Sequence, residues 1–156
     1  MDMGAYEYQP VYLDILPGEC PNELNPRRAG VVRVAVVGTP SLEAWRINTT
    51  SLTLTRADGV GGAAKPIQRR SGPAVRFDDV SRPPDGDLCG CNAERDGVTD
   101  FVLSFSGRAL VDALDLDSAP QGSSIRLVLT GSMIDGTPFT AADCVAISLP
   151  RRTVRR

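Results

Sequence analysis

The stretch SIRLVLTGSMIDGTPFTAADCVAISL, residues 124–149, decides the fold class. Side chains of an extended chain alternate with period two, so Ile125, Leu127 and Leu129 share one face, and Val145, Ile147 and Leu149 share another. Between these runs stands Asp135-Gly136, a pair that accepts the positive φ angles of a tight turn and predicts a hairpin joining 131–134 to 137–140. Two alternating runs around such a turn are strands packing one side onto a core.

Working outward, residues 11–16 (VYLDIL), 31–38 (VVRVAVVG), 51–56 (SLTLTR), 74–80 (AVRFDDV) and 100–105 (DFVLSF) have the same character. Leu52/Leu54, Val75/Phe77 and Phe101/Leu103/Phe105 each share a face, and Gly, Pro, Asn or Asp separates most runs. With 124–130 and 144–149 the set predicts an all-β fold, a single antiparallel β-sandwich of Ig-like or jelly-roll-like kind over 13–150. One segment reads as helix, 107–114, with Ser106 as N-cap and Ala109, Leu110, Ala113 and Leu114 as its apolar face. Residues 57–73 and 81–99 read as long loops, the first Gly-rich with Lys65 as the sole lysine, the second acidic.

A chain of 156 residues, 42% hydrophobic, has room for one real core, and 15 glycines with 12 prolines suit a turn-rich β protein. The net charge is −2, but Arg151, Arg152, Arg155 and Arg156 form a +4 tail, so residues 1–150 carry −6. An acidic body argues against nucleic acid as partner and leaves the 151–156 tail as the candidate grip for an anion, although such tails are commonly just solvated. No run approaches the twenty or so apolar residues of a membrane span, and the N-terminus lacks the basic-then-apolar pattern of a signal peptide. If the protein is exported, its leader is absent from this chain.

There is no histidine, which removes Ser-His-Asp and Cys-His nucleophilic chemistry outright. Carboxylates are plentiful, yet no spacing singles out an acid and a base, so no catalytic residue is named and no enzyme activity is expected. Cys20, Cys89, Cys91 and Cys144 lack the paired C-x₂₋₄-C spacing of a zinc site and read as disulfides, which implies an oxidising, extracellular setting. Of three connectivities the reading favours Cys20–Cys144, tying the first core strand to the last, with Cys89–Cys91 as a small local ring, and leaves the crossed pairings open. A redox role for Cys89-Gly90-Cys91 finds no neighbouring cation or helix N-terminus to activate a thiol.

The acidic loop ends NAERDGVTD, which sets Asn92, Glu94 and Asp96 at positions 1, 3 and 5, Gly97 at 6 and Asp100 at 9 of a calcium-type loop. Asn at 1 and Glu at 3 depart from the usual acids, and Leu103 stands where a bidentate Glu belongs. Calcium through Asn92, Glu94, Asp96 and Asp100 is one reading; Asp96-Gly97 as a plain turn into the next strand is the other. Trp45, the one tryptophan, and the sequon Asn48-Thr49-Thr50 add thin material for a sugar platform and a glycan acceptor. The three tyrosines, Tyr6, Tyr8 and Tyr12, all lie in residues 1–12, and their even spacing places them on one face of an extended strand suited to lie on a partner.

Two resemblances follow from these motifs. DILPGECPNELN (14–25), GVVRVAVVGT (30–39), C-x-C at 89–91, DGVTDFVLSF (96–105), LTG (129–131), DGTPF (135–139) and DCV (143–145) together resemble a bacterial accessory domain of secreted and surface proteins. That resemblance implies a non-catalytic exported module, some of whose members carry a fuller calcium signature at the positions matching Asn92, Glu94, Asp96 and Asp100. Separately DMGAYEY, residues 2–8, is similar to the closing segment of some bacterial right-handed β-helix surface proteins. The expectation is an extracellular structural or adhesive sandwich that self-associates or docks on a neighbouring domain, even as a filament, through its N-terminal strand. The alternative is a carbohydrate-binding accessory module, calcium-assisted, with polysaccharide as partner.

Overall fold

The computed structural model describes residues 11–148 apart from 43, 71, 85, 87, 88 and 90–93. In chain order the strands are β1 (Tyr12–Ile15), β2 (Glu23–Leu24), β3 (Val31–Val37), β4 (Thr53–Arg56), β5 (Ala63–Ala64), β6 (Gln68–Arg69), β7 (Gly72–Pro73), β8 (Val75–Asp78) and β9 (Asp100–Ser106). Helix α1 (Gly107–Leu114) follows, then β10 (Ser124–Ser132) and β11 (Pro138–Ile147). One sheet runs β1-β3-β9-β8 and a second runs β2-β11-β10-β4-β5, with β6 and β7 as a separate hairpin.

The two sheets close over a single core, as the alternating runs predict, and α1 adds Leu110, Val111 and Leu114 to it. Val32, Val34 and Val36 of β3 and Phe101, Leu103 and Phe105 of β9 face Leu54, Leu127, Leu129, Val145 and Ile147 of the other sheet. The β10–β11 hairpin pairs antiparallel from Ser124↔Ala146 to Ser132↔Pro138, and Asp135-Gly136 makes its turn, Gly136 at φ +90°. Here β11 is longer than the run 144–149 suggests: it is one continuous strand from Pro138, with Phe139, Ala141, Asp143, Val145 and Ile147 all buried. Leu149 lies outside the described residues.

Four departures from the sequence reading have physical reasons. Parallel pairing of β2 with β11, Glu23 opposite Ala146, breaks the wholly antiparallel expectation because the chain after β1 crosses to the other sheet. Residues 57–73 are not a bare loop: β5 adds to β4 and the β6–β7 hairpin precedes β8, in pieces too short for a periodicity to register. The start of 51–56 is a 3₁₀ turn, Thr49–Ser51, capped by Asn48, whose Oδ1 accepts from the Thr50 amide at 3.2 Å, so the sequon asparagine works as a cap. In α1 the Ser106 hydroxyl accepts from the Ala109 amide as expected, but the buried stripe is Leu110, Val111 and Leu114, with Ala109 exposed. Rotating the face by this much buries a valine in place of an alanine, a gain of apolar area.

Arg56 anchors the far end of α1. Its guanidinium donates to the Leu114 and Asp115 carbonyls at 3.2 Å each and pairs with Asp58 at 2.7 Å, so a cation meets the negative end of the helix. Among the described residues no helix is long and apolar enough to cross a membrane.

Gly38 follows β3 where the backbone of Thr99 presses in: a Cβ there would stand 1.9 Å from the Thr99 carbonyl oxygen. Gly38→Ala is expected to cost about 2 kcal/mol or more of stability, an overpacking effect. Thermal unfolding followed by circular dichroism checks it; an unchanged Tm contradicts it.

Candidate functional site

Alternation explains the most heavily charged buried region. In β11 the register that points Val145 and Ile147 into the core also points Asp143 inward, at 1% exposure. Asp14 of β1 and Asp100 of β9 lie on the other face of their sheet, yet both are fully buried, because the chain leaving β8 folds back over that face.

Each carboxylate is committed to holding backbone or a neighbouring side chain. Asp143 Oδ2 accepts from the Ile15 amide of β1 and from Asn22 Nδ2, both at 2.8 Å, and its Oδ1 accepts from the Cys144 amide at 2.8 Å. Asp100 Oδ1 accepts from the Gly38 amide at 2.8 Å, while Oδ2 accepts from the Val80 and Ser81 amides at 2.8 and 2.9 Å. Ser81 then donates its hydroxyl to Asp14 Oδ2 at 2.7 Å. Among the described residues no donor reaches Asp14 Oδ1.

Burial dominates their proton affinities. Desolvation, opposed by the Ser81 hydrogen bond and reinforced by the charges of Asp143 and Asp100, pushes Asp14 up to about 7. Asp143 is pushed up to about 6 by desolvation against the donors Ile15, Cys144 and Asn22, and Asp100 is raised by the same cause. Asp100 and Asp143 are taken up by N–H donors and Asp14 by the Ser81 hydroxyl.

The cysteines correct the favoured pairing. Cys89 is bonded to Cys144, with Cα atoms 5.1 Å apart, so neither Cys20–Cys144 nor Cys89–Cys91 forms. The register that turns Asp143 inward turns Cys144 outward, into a cavity that both Cys89 and Cys20 line, and Cys89 is the partner that meets it. Cys20 is also disulfide-bonded, and Cys91 lies outside the described residues. Cys20, Asn22, Cys89 and Cys144 line a cavity of about 90 Å³. That volume holds a few waters, well short of the roughly 300–1,000 Å³ of a small-molecule site.

The calcium reading fares unevenly. Asn92 is outside the described residues. Glu94 is exposed, with Oε2 3.4 Å from Arg82 Nε. Asp96 turns its Oδ1 onto the Val98 amide, while the Asp96 and Gly97 amides donate to Asp79, an arrangement that makes a turn. Asp100 points away into the sheet. Among the described residues no three acidic, cysteine or histidine side chains gather as metal ligands.

Tyr12 opens β1, half-buried opposite Val37, while Tyr6 and Tyr8 lie outside the described residues. Trp45 sits on the 3₁₀ turn Ala44–Arg46, 62% exposed, with the Arg46 guanidinium 5.9 Å from its ring centre. Near it Ile134 is 66% exposed, and its amide donates to the Arg46 carbonyl at 2.7 Å. At this end Val11, Leu42, Ile47, Met133 and Phe139 pack together and leave no space for a water between them.

Sequence reasoning missed Asp14, Ser81, Asn22 and Asp143. The signal was present for Asp143, an acid on the inward parity of a strand, and for Asp14, an acid inside the apolar run VYLDIL. No protein-family model, curated protein or solved structure matches this chain.

A carboxyl that binds its proton more tightly folded than unfolded stabilises the fold fully below its unfolded pKa and loses that contribution as pH rises through the folded one. For Asp14 the window runs from 3.8 to about 7, and for Asp143 from 3.8 to about 6. The unfolding free energy is therefore expected to fall between pH 5 and pH 8, and Asp14→Asn to flatten that slope; urea titrations at several pH values measure it, and a rise with pH refutes it. Cys89 and Cys144 are 55 residues apart, so Cys144→Ser is expected to cost about 4 kcal/mol in the same titration on a loop-closure argument.

Proposed function

We propose that this chain is a non-catalytic extracellular module, structural or adhesive, that associates with copies of itself or with an adjoining domain through its N-terminal segment. The observation that carries the reading is where the β1 ladder stops. Its last pair is Tyr12↔Val37. Thr39, next in line to pair outward from β3, has turned both its amide and its carbonyl onto Leu42, at 3.3 and 3.1 Å. The residue that would face it is Pro10, which has no N–H to give. The chain's own β3 thus offers no ladder to residues before Val11, and an extended tyrosine-bearing segment would find its backbone partners on another sheet.

Three further observations support the module reading. The buried carboxylates are engaged with the fold, the cavity beside the disulfide is small, and a disulfide suits an oxidising compartment outside the cytoplasm. The resemblance to exported bacterial accessory domains points the same way. A second reading, a carbohydrate-binding module, is favoured by one observation, the exposed Trp45 ring, since a flat aromatic face is what a sugar stacks on. Against it, Arg46 lies by that ring and the side chains packed beside it, Ile47 and Met133 among them, are apolar and enclose no cavity, without the convergent polar groups that orient a glycan.

Removal of residues 1–10 discriminates the two. Multi-angle light scattering is expected to show concentration-dependent association of the full chain and a monomer for the truncated one, with circular dichroism unchanged. Equal masses for both, together with glycan retention abolished by Trp45→Ala, would replace the first reading by the second.

A further inference from the structure

The docking reading needs an acceptor, and the sheet edges are not equal. At β1, the outward amide of Ile15 is already taken by Asp143, and Leu13 is buried. The edges at β2 and β5 are two residues long, and the Gly62 amide beside β5 is bonded to the Ala113 carbonyl of α1. The remaining edge is β8. The Ser104 amide donates to the Ala74 carbonyl at 3.2 Å, so in this antiparallel ladder Arg76 and Asp78 exchange bonds with Val102 and Asp100. The amides and carbonyls of Val75 and Phe77 therefore point away from β9, and among the described residues no backbone bond reaches them.

The side chains along this edge have a pattern of their own. Phe77 is 52% exposed and stands edge-on to Phe101 at 5.6 Å, an aromatic platform on the margin of the sheet. Arg76 projects to the other face, and the hairpin that runs into β8 adds exposed Arg69 and Arg70. Residues 1–10 carry Asp2 and Glu7 and no basic side chain.

We propose, resting on the docking reading above, that the open edge of β8 accepts residues 5–8 of a second copy as an added antiparallel strand, in the register Tyr6↔Phe77, Glu7↔Arg76, Tyr8↔Val75. This register places the tyrosines beside Phe77 and Val75 on one face and an acid opposite a base on the other. Shifting it by two residues to pair Tyr8 with Phe77 sets Glu7 against Asp78. Because β1 and β8 are opposite margins of one sheet, the contact is heterologous and repeats head to tail, giving an open chain of copies.

The test uses the full chain in light scattering with four variants. Arg76→Glu is expected to weaken association roughly fivefold, as one reversed cross-strand charge pair would, and adding Glu7→Arg to it should restore the wild-type value. Phe77→Pro removes an outward N–H without touching the ladder to β9 and is expected to abolish association; circular dichroism reports whether it has folded, and the charge swap stands independently if it has not. If removing residues 1–10 abolishes association while Arg76→Glu and Phe77→Pro leave it intact, docking stands and β8 is not the acceptor. Failure of the double swap to restore binding overturns the register. A wild-type chain that stays monomeric at every concentration overturns both this inference and the reading beneath it.

Discussion

The side chain of Asp143 holds the two sheets together at the edge where they would otherwise part. It sits on the core-facing register of β11, yet its carboxylate leaves the apolar interior to accept the outward amide of Ile15, in the opposite sheet. An edge strand buried against a second sheet has N–H groups that water cannot reach, and each such group left unmet costs roughly 1–3 kcal/mol. A carboxylate accepting several N–H bonds satisfies that strand, the side-chain amide of Asn22 and its own Cys144 amide together. Apolar packing alone could press β1 onto β11; it could not meet those donors.

The same bond makes the molecule asymmetric. With β1 sealed by Asp143, the first sheet is closed on one margin, while among the described residues no strand pairs beyond β8 on the other. Polar groups collect around Asp14, Ser81, Asp100 and Asp143, near the Cys89–Cys144 bridge, whereas Trp45 and Ile134 are exposed over the packed Ile47 and Met133 elsewhere. Natural sheets usually guard an open edge with charge or a bulge. The Arg76–Asp78 pair on β8, 3.4 Å apart and half exposed, is such a guard.

Much of this was legible before any coordinates. The β10–β11 hairpin follows from alternation and Asp135-Gly136, and α1 from Ser106 followed by apolar positions one turn apart, because local periodicity and turn chemistry are properties of short segments. The stretch from Pro138 to Ala142 was harder, since a proline and two alanines weaken the strand signal that β10 supplies by pairing. Asp143 and Asp14 were passed over because an acid in an apolar run reads as an interruption unless the donor that will meet it is known. For Asp143 that donor, Ile15, lies 128 residues away in sequence. The calcium spacing of Asn92, Glu94, Asp96 and Asp100 is local, whereas the partners of Asp100 are not: strand parity turns its carboxylate to the amides of Gly38, Val80 and Ser81.

By itself the sequence determined the class of the fold, its principal strands, its helix and the absence of imidazole chemistry, since composition, period and turn residues act locally. That Cys89 meets Cys144, which carboxylates are buried, and which sheet margin is left unpaired among the described residues were decided only by the tertiary structure. Each of those depends on the face a residue presents once distant strands are in register, and a single step of register exchanges inside for outside.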